Sequence, residues 1–103
     1  MSSKLSVRVV RRAAREIAEA SAWWDVNRPE APAALREELQ RAFDVIATHP
    51  RIGASVLNTK LMGVRRLHLS RIHYHLYYRV RLSPEVIEVL ALWHTSRGSG
   101  PGL

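Results

Sequence analysis

Three strand-like segments follow one another in the last third of the chain, and they restrict its fold more than any other feature. The segments span 63–69, 72–80 and 86–94, and they are rich in β-branched and aromatic residues. Short polar breaks separate them, and the break at 83–85 contains a proline that is typical of a hairpin connection. The pattern therefore predicts a small, mostly antiparallel sheet in this part of the chain.

The second segment alternates between two kinds of side chain, which predicts a buried face and an open face of the sheet. The predicted buried face carries Ile72, Tyr74, Leu76, Tyr78, Val80 and Leu82. The predicted open face carries His73, His75, Tyr77, Arg79 and Arg81. The third segment is largely apolar on both faces between 86 and 92, which is typical of an interior strand.

A short strand and a helix are predicted at the start of the chain. Residues 5–10 alternate and are partly β-branched, which favours a strand. In the helix that follows, spacings of three and four residues predict one apolar face, formed by Ala14, Ile17, Ala18, Ser21 and Trp24. The helix is expected to end at 27–29, because proline cannot continue it. Neighbouring helix residues point about 100° apart, so one of Trp23 and Trp24 is expected to be exposed.

A second helix is predicted from about residue 30 to residue 48, where His49-Pro50 ends it. Its apolar face is formed by Leu35, Leu39, Ala42, Phe43, Ile46 and Ala47. The order β-α-α-β-β-β predicts an α+β fold, a single domain over 1–103 with a helical hairpin packed on one face of the sheet. Residues 51–62 are predicted to be a loop, and 95–103, with three glycines and a proline, a mobile tail.

Charge is distributed unevenly along the chain. Of the net charge of +7, residues 49–103 contribute +6, from eight basic and two acidic side chains. Arginine outnumbers lysine by 14 to 2, and guanidinium groups suit bidentate contacts with phosphate or carboxylate. A basic sheet therefore predicts an anionic partner, either nucleic acid or an acidic protein segment.

The sequence also limits location and chemistry. It has no cysteine, no apolar run of membrane-spanning length and no apolar leader, so we expect a cytoplasmic protein without membrane contact. His73 and His75 share a predicted strand face, but no carboxylate or thiol stands nearby to complete a metal site. We therefore predict no metal and no cofactor. A site of histidine and arginine without carboxylates could still cleave RNA. The residues predicted for such a site are Arg65, Arg79, His94 and Arg97.

Four local patterns and their order resemble the RelE/ParE superfamily of type II toxin–antitoxin toxins, and the ParE branch in particular. Segment 49–53 is similar to a Pro-x-x-Gly segment after the second helix, and 64–67 to a basic second strand. Segment 74–80 is similar to a tyrosine-rich strand ending in arginine, and 87–94 to a final strand that runs into a histidine and a basic tail. The resemblance covers nearly the whole chain, from residue 5 to about 101.

The resemblance implies a toxin that inhibits growth, stabilises plasmids and is neutralised by a cognate, acidic, ParD-like antitoxin in a hetero-oligomer. ParE-like toxins poison DNA gyrase by binding, whereas RelE-like toxins cut mRNA on the ribosome. Residues 95–103 lack the tyrosine common near the end of RelE-like enzymes, and Lys60 is the only lysine after residue 49, which favours the ParE branch. Two alternatives stay open: a ribosome-dependent endoribonuclease, and a member that binds an antitoxin without poisoning anything.

The residues predicted to contact a target or an antitoxin are shared by the basic strand face and the tail. They are Arg65, Arg66, His73, His75, Tyr77, Arg79, Arg81, His94, Arg97 and Trp23.

Overall fold

Residues 4–103 are described by a computed structural model, and they form two helices and one five-stranded sheet. The elements in chain order are β1 Ser6–Val9, α1 Arg11–Asn27, α2 Ala34–Thr48, β2 Ala54–Ser55, β3 Arg65–Leu69, β4 Tyr74–Arg81 and β5 Val86–His94. The predicted order of elements and the α+β class are confirmed. The two-residue strand β2 is an addition to the predicted order, within the segment expected to be a loop. Within residues 4–103, neither helix is long and apolar enough to cross a membrane.

The sheet has the strand order β1-β5-β4-β3-β2. β1 pairs with β5 in parallel, and every other pair is antiparallel, as expected for strands joined by short turns. β5 therefore lies between β1 and β4, which is the interior position that its apolar sequence predicts.

The main core lies between the helices and one face of the sheet. Its fully buried members include Ile46 from α2, Leu76 and Tyr78 from β4, and Ile87 and Val89 from β5. The apolar face predicted for α2 is buried or half-buried throughout.

The predicted apolar face of α1 is wrong in part. Ile17 and Trp24 do pack toward the core, but Ala14, Ala18 and Ser21 are exposed, and Ala13 and Ala20 are buried instead. Burying an alanine or a serine removes little apolar surface from water, so these residues do not determine which side of α1 faces the core. The two large residues, Ile17 and Trp24, determine it. Of the adjacent tryptophans, Trp24 is buried and Trp23 is 47% exposed, as expected.

Residues 50–53 are fixed against β4 by one phenol. The Tyr78 hydroxyl donates a hydrogen bond to the Pro50 carbonyl at 2.7 Å and accepts one from the Gly53 amide at 2.9 Å. A Cβ at position 53 would lie 2.8 Å from that hydroxyl oxygen, so only glycine fits without displacement. The Pro-x-x-Gly segment thus positions the connection between α2 and the sheet.

The second face of the sheet is partly covered by the segment 95–103, and the mobility predicted for that segment stays a prediction. Residues 95–103 turn back across it, where the Leu103 carbonyl accepts a hydrogen bond from the Lys60 amide at 2.7 Å and the Ser99 carbonyl accepts one from the Trp93 indole at 2.9 Å. Leu103 packs against a small second core. The members of that core are Val64, Tyr77, Leu90 and Ala91. Glycine content indicates local freedom, but these tertiary contacts determine the position of the segment.

Candidate functional site: the basic face of the sheet

The sheet face opposite the helices collects basic side chains from three strands. β1 contributes Arg8, β3 contributes Arg66 and His68, and β4 contributes further residues that pair with β3 and β5 across the sheet. Those from β4 are His75, Arg79 and Arg81. The covering segment 95–103 crosses between two groups of them.

One group is centred on a buried carboxylate. Glu88 is only 4% exposed and accepts hydrogen bonds from Arg79 Nε at 2.8 Å and from Arg8 Nη2 at 2.9 Å. Arg81 lies 3.8 Å from the same carboxylate. We call Glu88, Arg8, Arg79 and Arg81 the Glu88 cluster.

The three arginines keep Glu88 ionised in spite of its burial. Desolvation alone raises the pKa of this carboxyl, but the hydrogen bonds from Arg79 and Arg8 and the positive charges of Arg79 and Arg81 outweigh it. The net result is a pKa below the ordinary glutamate value. The cluster therefore holds one negative and three positive charges at neutral pH.

The hydrogen bond to Glu88 keeps the Arg79 side chain largely buried. Its side chain is 19% exposed and engages the carboxylate directly across the strand pair β4–β5, whereas Arg8 and Arg81 remain exposed. Arg79 lies on the sheet face predicted for it, but that face is not open at this point, because Glu88, the one acidic residue of β5, accepts a hydrogen bond from its guanidinium. Whether Arg79 also contacts a partner stays a prediction.

The other group surrounds Trp93, at the opposite end of the same face. The His68 and His75 rings lie 5.0 Å apart on neighbouring strands, and the Arg97 guanidinium stacks 3.6 Å from the centroid of the Trp93 ring. Arg66, on β3 opposite Tyr77, completes this group, and its charge acts on His75. We call Arg66, His68, His75, Trp93 and Arg97 the Trp93 end.

No carboxylate within residues 4–103 forms an ion pair with the basic side chains of the Trp93 end. Burial lowers the pKa of His75, and the nearby charges of Arg66 and His68 lower it further. His75 is thus neutral at pH 7, while Arg66 and Arg97 carry unneutralised charge. A guanidinium stacked on an indole is held in place yet keeps its edge free to bind an anion.

A cleft beside α1 brings three predicted site residues together. Trp23, His94 and Arg97 line it with Tyr74, whose ring meets the His94 ring edge-on at 5.0 Å. The Ser96 amide donates to His94 Nδ1 at 3.1 Å, so the neutral imidazole carries its proton on Nε2. Burial raises the pKa of Tyr74, against the opposing charge of Arg97.

The remaining predicted residues lie elsewhere. Arg65 sits on the helix side of the sheet, where its Nη1 donates to the Gly53 carbonyl at 2.7 Å. His73 lies in the turn before β4 with a φ of 63°, so it does not share a strand face with His75. Tyr77 is buried under residues 95–103 and is not available on the surface, contrary to its predicted role. Among residues 4–103, no group of three or more potential ligands is arranged to hold a metal ion.

The residues predicted for RNA cleavage are not assembled in one place. His94 pairs with Tyr74, and Arg79 stands five residues further along β4, which is about 17 Å at the rise of an extended strand. Arg65 pairs with Tyr78, also far from the imidazole. A general acid must come within hydrogen-bond reach of its substrate atom, so a phosphate held by Arg79 or Arg65 would lie out of reach of His94.

Sequence reasoning missed Arg8, His68 and Glu88. Alternation within 5–10 and within 63–69 could have placed Arg8 and His68 on the basic face. A lone acid within an apolar strand could have identified Glu88 as a buried charge that needs a partner.

Fold and surface together define a small α+β protein with an arginine-rich sheet face. The family described as ParE toxin of type II toxin–antitoxin system, parDE, matches residues 7–98. The chain therefore belongs to the ParE toxin family, and the predicted membership is confirmed.

Among solved structures, the chain resembles the chromosomal ParDE toxin–antitoxin system from P. aeruginosa, with a TM-score of 0.71 and 20% sequence identity. The match covers 90% of this chain and 98% of that chain. At this identity the likeness establishes a common fold. A search of curated proteins gave no match.

Proposed function

We propose that this toxin acts by binding, that DNA gyrase is its target, and that a cognate acidic, ParD-like antitoxin neutralises it. The single observation that carries the proposal is the Trp93 end, where Arg66 and Arg97 keep charges without a carboxylate partner in residues 4–103. Such a surface attracts an acidic protein and needs no chemistry to bind it.

The separation of Arg65 and Arg79 from His94 supports a binding mode over hydrolysis. Both arginines lie toward one end of β4, and His94, which would transfer the proton, lies beside the other end with Arg97. The observation that speaks for the endoribonuclease is the cleft, in which the His94 Nε2 proton, the Tyr74 phenol and Arg97 lie close together.

Two assays on the purified protein separate these functions. The first measures inhibition of plasmid supercoiling by gyrase, and the second measures cleavage of a defined mRNA in a translation extract. We expect inhibited supercoiling and intact message. Cleaved message with normal supercoiling would establish the endoribonuclease instead, and inactivity in both assays with retained antitoxin binding would indicate a toxin without a target.

His94→Ala is the matched control for this pair of assays. Its half-buried imidazole contacts the Tyr74 ring and the Ser96 amide, so circular dichroism melting is used to check that the variant is folded. His94 is also one of the residues predicted to contact a target, so we expect the variant to inhibit supercoiling less strongly but still measurably, because Arg66 and Arg97 remain, whereas a ribonuclease would lose its activity.

A further inference from the structure

The cleft beside α1 has two adjoining lobes that share one aromatic group, formed by Trp23, Tyr74 and His94. Arg97 borders the larger lobe, which has a volume of about 330 Å³, and Arg28 borders the smaller one, of about 120 Å³. We propose that this cleft binds one nucleotide of a single-stranded nucleic acid. The base stacks on the aromatic group, and the two arginines hold the phosphates on either side of it.

The aromatic group offers ring surface that the fold leaves uncovered. Trp23 is 47% exposed although it lines a concave surface. Tyr74 and His94 are half-buried, and their rings meet edge-on with centroids 5.0 Å apart. Every base has a planar π-face, so exposed aromatic rings beside positive charge are typical of surfaces that bind single strands. The cleft therefore suits a flat aromatic ligand.

The two arginines keep their charge available to an anion. Neither Arg28 nor Arg97 forms an ion pair within residues 4–103. The Arg28 guanidinium lies 5.8 Å from the centroid of the Trp23 ring, and that of Arg97 lies 3.6 Å from the centroid of the Trp93 ring. A guanidinium placed over a ring still presents N–H groups that can bind a phosphate. Cations on both sides of the aromatic group match a nucleotide within a strand, which has a phosphate on each side.

Acidic residues restrict where a phosphate can bind. Glu16 and Glu19 line a third lobe of the cleft, toward α1. The Glu16 carboxylate is already engaged, because it accepts hydrogen bonds from the Leu92 amide at 3.0 Å and from Arg12 at 3.1 Å. These two negative charges repel a phosphate, and they also repel the side chains of an acidic peptide. An N–H group of a base, in contrast, can donate a hydrogen bond to Glu19.

His94 supplies a hydrogen-bond donor to the same cleft. Its Nδ1 accepts a hydrogen bond from the Ser96 amide at 3.1 Å, and the Ser96 hydroxyl lies 2.7 Å from that nitrogen. The proton of the neutral imidazole is therefore on Nε2, which leaves this N–H for an oxygen of the base or of a phosphate. Binding of this kind breaks no bond in the nucleic acid.

The cleft can be altered without changing most of the Trp93 end. Of the residues that border the cleft, only Arg97 belongs to both surfaces. Trp23 lies on α1, and Arg28 follows directly after that helix. Variants at these two positions therefore test the cleft separately from the basic sheet face, and the result does not depend on whether gyrase is the target.

The test measures binding of a short, fluorescein-labelled oligothymidylate to the purified protein by fluorescence anisotropy, over a series of salt concentrations. The probe is DNA and lacks the 2′-hydroxyl, so binding is measured separately from RNA cleavage. Trp23→Ala should weaken binding by about 5- to 100-fold, because it removes the largest stacking surface, and Trp23→Phe should retain much of the affinity. Arg28→Ala should reduce the slope of log affinity against log salt concentration by about one, because one phosphate contact is lost.

Val26→Ala and Arg36→Ala are the matched controls. Both residues are exposed and lie outside the cleft, Val26 on the same helix as Trp23 and Arg36 on α2. Each control should bind the probe with the affinity of the unmodified protein. Circular dichroism melting checks that every variant is folded.

An unmodified protein that does not bind the probe would overturn the proposal, as would an unchanged affinity of Trp23→Ala. Polyglutamate that competes as well as an unlabelled strand would also overturn it, because polyglutamate carries charge but no base. So would a Trp23→Ala protein that loses the same affinity for a duplex as for the single strand, because paired bases cannot enter the cleft. Thymidine monophosphate that competes as strongly as the strand would identify a free nucleotide as the ligand of the same cleft.

Discussion

The Glu88 cluster and the Trp93 end both carry arginines on the same sheet face, yet those arginines have different partners. In the Glu88 cluster, Arg79 is drawn inward by a carboxylate directly across the strand pair. At the Trp93 end, Arg97 rests on an indole and Arg66 on a strand near the edge of the sheet, and neither has a carboxylate partner in residues 4–103. The difference teaches that one internal carboxylate can hold an arginine within the fold, so that the number of arginines overstates the charge available to a partner.

Arg79→Ala should have the largest effect on stability. The change leaves Glu88 buried with only the two exposed arginines as partners, and breaking a buried pair in this way costs about 2–4 kcal/mol. Urea unfolding measures the loss. The double variant Arg79→Leu with Glu88→Leu should regain much of it, because neither charge is then left alone. If the Arg79→Ala protein were fully stable but not toxic, Arg79 would be part of the binding surface and not of the folded core.

Acid should weaken the fold through the same cluster, by a smaller amount. The folded pKa of Glu88 lies below its ordinary value of 4.5, so the carboxylate stabilises the fold fully above pH 4.5. That contribution is lost as pH falls through the lower folded pKa. In urea unfolding at a series of pH values, Glu88→Gln should therefore show a flatter acid limb than the unmodified protein. Parallel curves for the two proteins would mean that Glu88 is not the group responsible.

Arg97→Ala should have the smallest effect on stability, within about 0.5 kcal/mol, because its guanidinium lies at the surface without an ion pair. Arg97→Lys is the matched variant, because it keeps the positive charge but loses the planar stack on Trp93. Its free energy of unfolding should also stay within about 0.5 kcal/mol of the unmodified protein. Urea unfolding of both variants checks this. A loss as large as that of Arg79→Ala would mean that the Trp93 end is also part of the folding core.

Local patterns were sufficient for much of the fold. Alternation in β4 placed Leu76 and Tyr78 in the core, and the three-and-four spacing of α2 gave its buried face. The strand order was not accessible in the same way, because the parallel pairing of β1 with β5 joins residues about 80 positions apart.

The candidate site was harder to predict because it depends on register between strands. Arg79 meets Glu88 only through the β4–β5 register, which a bulge at Tyr77/Tyr78 shifts. The same bulge turns Leu90 and Ala91 toward the second face, where they help to bury Tyr77. His73 fell outside the strand because the turn places it at positive φ. The alternation of basic residues along one strand does not show which residues of the neighbouring strand they contact.

The most direct test of the central claim compares two double variants in the gyrase supercoiling assay. Arg66→Ala with Arg97→Ala removes two charges from the Trp93 end, and Arg8→Ala with Arg81→Ala removes two from the Glu88 cluster while leaving the Arg79–Glu88 pair intact. We predict that the first protein loses inhibition by about tenfold or more and that the second inhibits as the unmodified toxin does. Equal losses in the two proteins, or a loss confined to the second, would contradict the account.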